Sequence, residues 1–350
     1  MTNEIRNIDW PNVRRVLVVR LRSIGDTVLA TPSLIALLRA LPQAEIDILL
    51  EDWVAPVLDG FDDVNVVSVE SGNAAKLRAA RYLRSRRYDV AINLHGGTTS
   101  SIFVRASGAK HRVGLSHYRY PRLYDHLYSS AADFWGRAEM HSAEQQLAVI
   151  GFAGIPVGDR PKSRLVVTDA ALVSLEAKFR SRRHLSTGDE PTIGLIHPAA
   201  AFESKQWAAE NFAEVARHLT ERGIRPVAVG AKHEAGILKK LTAISAVPII
   251  MFDDLTLPEI TALASRSRIF VGNDSGIAHM AAAVGTPSVV VFGSSNRNHW
   301  HPWTEAPNEI VFDPMPCQPC PGYECRVFGE PKCILNVAPA AVLAAIDRVL

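Results

Sequence analysis

The chain has 350 residues, more than one hydrophobic core usually supports, so two domains are the default expectation. Its apolar share of 47% and charged share of 21% are those of an ordinary globular protein and exclude a disordered or fibrous chain. With 38 basic and 36 acidic side chains the net charge is +2, which excludes a general field for nucleic acid, so affinity for an anionic surface has to be local.

The first twenty residues carry Glu4, Arg6, Asp9 and Arg14 and no long apolar run. No signal peptide is expected, and the chain reads as soluble and cytosolic. Short apolar runs at 15–20, 46–50, 64–69 and 90–94 predict strands, each followed by a stretch of helical period. The first helix is expected to carry Val28, Leu29, Leu34, Leu37, Leu38 and Leu41 toward a sheet and to stop before Pro42. A second, over roughly 74–86, places Leu77 and Leu83 on one side and Arg78, Arg81, Arg84 and Arg86 on the other, with Arg87 following.

The tract 155–164 (IPVGDRPKSR) combines two prolines, a glycine and several charges and reads as a linker, giving domains at 1–160 and 161–350. A second series then predicts strands at 193–197, 226–229, 249–251, 269–272 and 288–292, and a terminal helix over 338–350. The uncharged stretch 275–296 is interrupted by His279, Gly285, Thr286 and Pro287, so it reads as a buried helix and strand rather than a membrane span. Strands joined through helices imply parallel sheets covered on both faces: an α/β fold of two doubly wound, Rossmann-like domains in tandem. Ligands of such sheets bind beyond the carboxyl ends of the strands.

Three motifs sit there. Arg22-Ser23-Ile24-Gly25-Asp26-Thr27 follows the first strand, and Asp26 either caps a helix or takes a proton from an attacking hydroxyl; spacing leaves both open. His197-Pro198-Ala199-Ala200-Ala201-Phe202-Glu203-Ser204-Lys205 follows the first strand of the second series, where a lysine can neutralise phosphate. Gly272-Asn273-Asp274-Ser275-Gly276-Ile277-Ala278-His279 is a strand–turn–helix whose start can bind an anion through backbone N–H groups.

In this order the motifs RSIGDTVLATPSLIALL, HPAAAFESKQW and FVGNDSGIAHMAAAVGTPSVVVFG make the sequence resemble glycosyltransferase family 9, the ADP-heptose:lipopolysaccharide heptosyltransferases, over nearly its whole length. The resemblance implies a GT-B fold, two facing domains with the acceptor on the first and the nucleotide sugar on the second. It implies an inverting transfer of heptose from ADP-L-glycero-D-manno-heptose to a Kdo- or heptosyl-lipid A acceptor, with no cofactor and no catalytic metal. The partners are then a nucleotide sugar and a lipopolysaccharide precursor at the cytoplasmic face of the inner membrane, with peripheral attachment there. Asp26 matches the family's general base. Lys205 matches the lysine on the donor diphosphate, with Ser204 beside it. Asp274, Ser275, Gly276 and His279 match the loop and helix start around diphosphate and sugar, and Glu234 matches the carboxylate on the ribose hydroxyls. Ala199 and Ala200 depart from relatives that carry glycine or hydroxyl residues there, which leaves a different nucleotide sugar open.

On the acceptor side Ser23 and Thr27 flank the base, and the basic, aromatic segment 110–122 offers Lys110, Arg112, Arg119 and Arg122 to a phosphorylated or carboxylated glycolipid; an ordinary solvated loop explains the segment equally. Cys317, Cys320, Cys325 and Cys333, spaced C-x2-C-x4-C-x7-C, supply enough thiolates for structural zinc or an iron–sulfur cluster, though not in the double-knuckle pattern. No catalytic part is assigned to them. A dinucleotide-dependent oxidoreductase would need a G-x-G-x-x-G turn, which no strand–helix junction here supplies. A two-lobed binding protein and a GT-B nucleotide-sugar epimerase are the remaining alternatives.

Overall fold

The structure is a computed structural model that describes residues 7–182, 192–320 and 324–350. The chain divides into two compact units, Met1–Arg164 and Leu165–Leu350.

The first unit holds β1 (Arg15–Leu21), α1 (Ile24–Val28), α2 (Thr31–Ala40), β2 (Glu45–Glu51), β3 (Asn65–Val69), α3 (Asn73–Arg86), β4 (Val90–Asn93), α4 (Thr98–Ser107), β5 (His111–Leu115), β6 (His126–Tyr128), α5 (Ala131–Trp135) and α6 (Ser142–Phe152). Every strand pair is parallel, in the order β3-β2-β1-β4-β5-β6. Val16 to Val19 of β1 are wholly buried, as a strand covered on both faces requires. One acid interrupts this core. Asp47 of β2 is fully buried, and it accepts hydrogen bonds from Arg86 at 2.9 and 3.0 Å and from the Tyr88 hydroxyl at 2.5 Å. Burial and that carboxylate raise the Tyr88 pKa, so the phenol stays a donor, and the network pins the end of α3 to the sheet.

Three local expectations need correction. The first helix is two helices, because the chain turns at Leu29–Ala30, where Thr31 Oγ1 donates to Val28 O at 2.7 Å and Pro32 enters the first turn of α2. On α3 the sheet-facing positions are Ala75, Ala79 and Leu83, each four apart, which leaves Leu77 about half exposed. The segment 110–122 is not one loop: β5 occupies its start, with Val113 and Leu115 buried against the sheet. The Pro-rich tract packs into the first unit through Ile155 and Val157.

The second unit holds α7 (Asp169–Ser181), β7 (Ile193–His197), α8 (Ala209–Glu221), β8 (Arg225–Val229), α9 (Ala235–Ile244), β9 (Ile250–Phe252), α10 (Leu257–Ser265), β10 (Ser267–Asn273), α11 (Gly276–Ala283), β11 (Ser288–Phe292), α12 (Arg297–Trp300), β12 (Asn308–Phe312), α13 (Lys332–Leu335) and α14 (Pro339–Val349). Its sheet is also all parallel, in the order β12-β11-β10-β7-β8-β9. Counted from the first strand of each unit, both orders are 3-2-1-4-5-6, so the order reverses between β1 and β4 and again between β7 and β10. The core joins Trp207, Phe212 and Leu219 to Val342, Ile346 and Val349 of α14. Each fully buried aliphatic there stabilises by about 1.5–3 kcal/mol. The uncharged stretch 275–296 contains α11 and β11, and among the described residues no helix is long and apolar enough to cross a membrane.

Candidate active site

Each reversal point carries polar side chains that the sheet has no structural need of. In the first unit, Arg20 near the end of β1 is 7% exposed, and its guanidinium pairs with the Asp26 carboxylate. Its Nη1 donates to Leu94 O at 3.1 Å and meets His95 Nδ1 at 3.2 Å, just beyond β4. Burial, then the charge of Arg20, lowers the His95 pKa. A neutral His95 facing an obligate donor accepts at Nδ1 and carries its proton at Nε2. Asp26 occupies the third position of α1, where its Oδ2 accepts from the Ser23 hydroxyl at 3.1 Å and the Ser23 N–H at 3.4 Å. The capping function is therefore real, and it leaves the carboxylate accessible: the Asp26 side chain is 22% exposed against 9% for Arg20.

Asn93, at the end of β4 and fully buried, shapes the neighbouring turn by accepting from the N–H groups of His95 and Gly96 at 2.9 and 3.0 Å. The second unit repeats the device. Asn273 ends β10, is fully buried, accepts from Trp207 N–H at 3.1 Å and donates to Pro198 O at 2.9 Å. It ties the lysine loop to the turn before α11.

Across that tie Lys205 Nζ pairs with Asp274 Oδ2 at 2.8 Å, and Ser295 Oγ donates to the same oxygen at 2.5 Å. Here the exposure is reversed, with Lys205 at 23% and Asp274 at 6%. Asp274 thus fixes the lysine and leaves a cation accessible. Ser275 caps α11, and its Oγ lies 3.1 Å from His197 Nδ1. Glu234, after β8, accepts from Ala231 N–H at 2.7 Å and stands 3.7 Å from His197 Nε2. Burial pushes the Glu234 carboxyl up, but its contacts with His197 and the Ala231 N–H outweigh this and hold its pKa below the usual value. Lys205, Asp274, Ser275 and Glu234 therefore form one connected group, with Gly276 beginning α11 and His279 buried one turn on, its ring 6.5 Å from Trp300.

Other expected residues lie elsewhere. Ser204 is 3% exposed, and its Oγ accepts from Ser294 Oγ at 2.9 Å, so it builds the loop instead of facing outward. Thr27 is fully buried, because the first turn of α1 points it into the core, while Ser23 is exposed. Lys110 and Arg112 stand at the amino end of β5, opposite the end that carries Asp26, and pair with Asp89 and Asp125 at 2.7 Å each. Arg119 and Arg122 lie past the carboxyl end of β5 and are exposed, with Arg119 N–H donating to Gly96 O at 3.2 Å. Arg20, His95 and the bridging His197 were not singled out from sequence; a charge inside an apolar strand was the available signal for Arg20.

The four cysteines line one pocket of about 380 Å³ together with Ser204 and Ser294. Among the described residues no three His, Cys, Asp or Glu side chains are set to hold a metal ion.

Two Rossmann-like units in tandem are the architecture of the GT-B fold. The profile of glycosyltransferase family 9 (heptosyltransferase) matches residues 76–329, and the chain belongs to that family. It is a glycosyltransferase. It is 27% identical to lipopolysaccharide heptosyltransferase 3 of Escherichia coli, over 94% of this chain and 97% of that one. In fold it is similar to E. coli ADP-heptose lps heptosyltransferase II, with TM-score 0.78 and 20% identity over 96% and 98% of the two chains. It is also similar to E. coli heptosyltransferase WaaC, solved with ADP, with TM-score 0.71 and 19% identity over 96% and 100%.

Proposed function

We propose that this transferase moves a heptose from ADP-heptose to the inner core of lipopolysaccharide, with inversion and without a metal, Asp26 acting as general base. The observation that carries the reading is the opposite polarity of the two ion pairs: the first unit presents the carboxylate of Asp26, the second the ammonium of Lys205. In an inverting transfer the acceptor hydroxyl loses a proton as its oxygen attacks the anomeric carbon, and negative charge grows on the departing diphosphate. A presented carboxylate serves the first event. A presented cation, with the start of α11 beside it, serves the second. The names of the relatives supply the sugar and the acceptor class, and the ADP-bound neighbour supports the nucleotide.

In this reading Glu234 reads the ribose hydroxyls and Ser275, Gly276 and His279 surround the diphosphate and sugar. Ser23, Arg119 and Arg122 meet an anionic glycolipid at the cytoplasmic face of the inner membrane. The test is ADP release from ADP-heptose with Kdo–lipid A or heptosyl–Kdo–lipid A in EDTA, for the wild type and Asp26→Asn. Acceptor-dependent release that survives EDTA and collapses in the variant is expected. Full activity in Asp26→Asn returns that residue to helix capping alone, and tight ADP binding without release under any acceptor points to another sugar.

A further inference from the structure

We infer that His197 is a positioning residue that couples the ribose-reading carboxylate to the diphosphate-binding turn, so that the nucleotide is recognised by one connected unit and not by two independent contacts. The inference rests on the donor assignments above and adds a residue that none of them includes.

His197 is the last residue of β7, 5% exposed, at the strand that flanks the reversal point. Its two ring nitrogens face two different loops. Nδ1 lies 3.1 Å from Ser275 Oγ at the start of α11, and Nε2 lies 3.7 Å from Glu234 Oε2 in the turn after β8. The second distance exceeds a direct hydrogen bond, so that link is electrostatic and short enough to orient the ring. Close approach of the strands is built in: a Cβ on Gly272 would sit 2.9 Å from His197 O.

The chemistry sets the direction of the chain of contacts. Glu234 has a depressed pKa and is an acceptor only. The nitrogen facing it therefore carries the proton, and in a neutral imidazole Nδ1 then accepts the Ser275 hydroxyl proton. Ser275 is left to meet an anion through the backbone N–H groups at the helix start, while its side chain is held in place by the ring. A buried ring bonded to one loop through Nδ1 and drawn electrostatically to the other through Nε2 couples a displacement of either loop to the other.

The experiment pairs variants with truncated ligands. Calorimetry measures the affinity of the wild type, His197→Ala, His197→Gln and His197→Asn for ADP and for its 2′- and 3′-deoxy analogues. The wild type is expected to lose about tenfold on removal of the ribose hydroxyl that Glu234 reads. In His197→Ala ADP itself should bind about tenfold more weakly, and the penalty for the missing hydroxyl should shrink below about twofold. His197→Gln, whose amide reaches the Nε2 position, should recover the ribose penalty; His197→Asn, which reaches only the Nδ1 position, should not. In turnover the variants should raise the donor KM with kcat held, as expected for a lost uniform binding contact. A merely structural histidine predicts no difference between Gln and Asn.

Unchanged ADP affinity and an unchanged ribose penalty in a folded His197→Ala overturn the inference. A wild type that does not distinguish ADP from either deoxy analogue overturns the Glu234 assignment and the coupling with it. A ligand-free readout stands apart from the donor reading: the ¹⁵N shifts of His197 should show the Nε2–H tautomer, lost in Glu234→Ala, and a proton found at Nδ1 overturns the coupling even if ADP fails to bind.

Discussion

The two units solve the same problem with opposite outcomes. Both use a 3-2-1-4-5-6 parallel sheet, both end the fourth strand in a fully buried asparagine, and both carry an acid–base pair at the reversal point. In the first unit the cation comes from within β1 and is buried, so the acid is the accessible partner; in the second the acid follows β10 and is buried, so the lysine is accessible. A common scaffold thus fixes where a charged pair sits, and the choice of which partner the sheet buries decides the sign of the charge offered to a ligand.

The sharpest way to break this comparison is Asp26→Asn, which keeps the shape and removes the base. The expected loss in kcat is about 10²–10⁴-fold, read as acceptor-dependent ADP release with the melting temperature as a control. Lys205→Ala removes the opposite charge and should cost roughly 10²–10³-fold in kcat, together with ADP affinity. Equal insensitivity of both would dissolve the polarity argument.

Asp274→Asn separates holding from presenting. Lys205 and Ser295 lose their anchor, so unit stability should fall by about 2 kcal/mol, seen in denaturant unfolding. Glu259 tests stability away from the site. Burial raises its carboxyl, but hydrogen bonds from Lys178, Ser174 and Thr256 bring the pKa below its ordinary value. A depressed pKa stabilises the fold above about pH 4.3 and that share is lost as the pH falls through the folded value. Glu259→Gln should therefore lower the melting temperature at pH 7, by about 2–4 °C per kcal/mol, with the gap closing in acid. Lys110→Ala should do least, about 0–1 kcal/mol and no change in acceptor KM, because its exposed pair with Asp89 lies at the wrong end of the sheet.

The pattern of residues revealed most of this architecture. Strands such as β7 and β11 are short, mostly apolar runs buried on both faces, which the sequence pattern finds to the residue. It missed β5, β6 and β12: β5 opens with His111 and Arg112, β6 is only three residues long, and β12 is half-exposed with Asn308 and Glu309, so none carries a long apolar run. At the site, Asp26, Lys205 and the Asp274–Gly276 turn were visible because their motifs are local. Arg20 and His197 were not, because what matters about them is a partner brought close by the sheet. Lys110 and Arg112 misled because composition reports charge without reporting which end of a strand bears it.

The pocket of thiols has a practical consequence. All four cysteines of the chain lie in the second unit around one pocket that Ser204, the residue before Lys205, also lines. Burial and the neighbouring thiols raise the Cys333 pKa, which keeps it in the slow-reacting thiol form while its companions are more open to reagents. A maleimide dye is therefore expected to attach at Cys317, Cys320 and Cys325 well before Cys333, without any engineering.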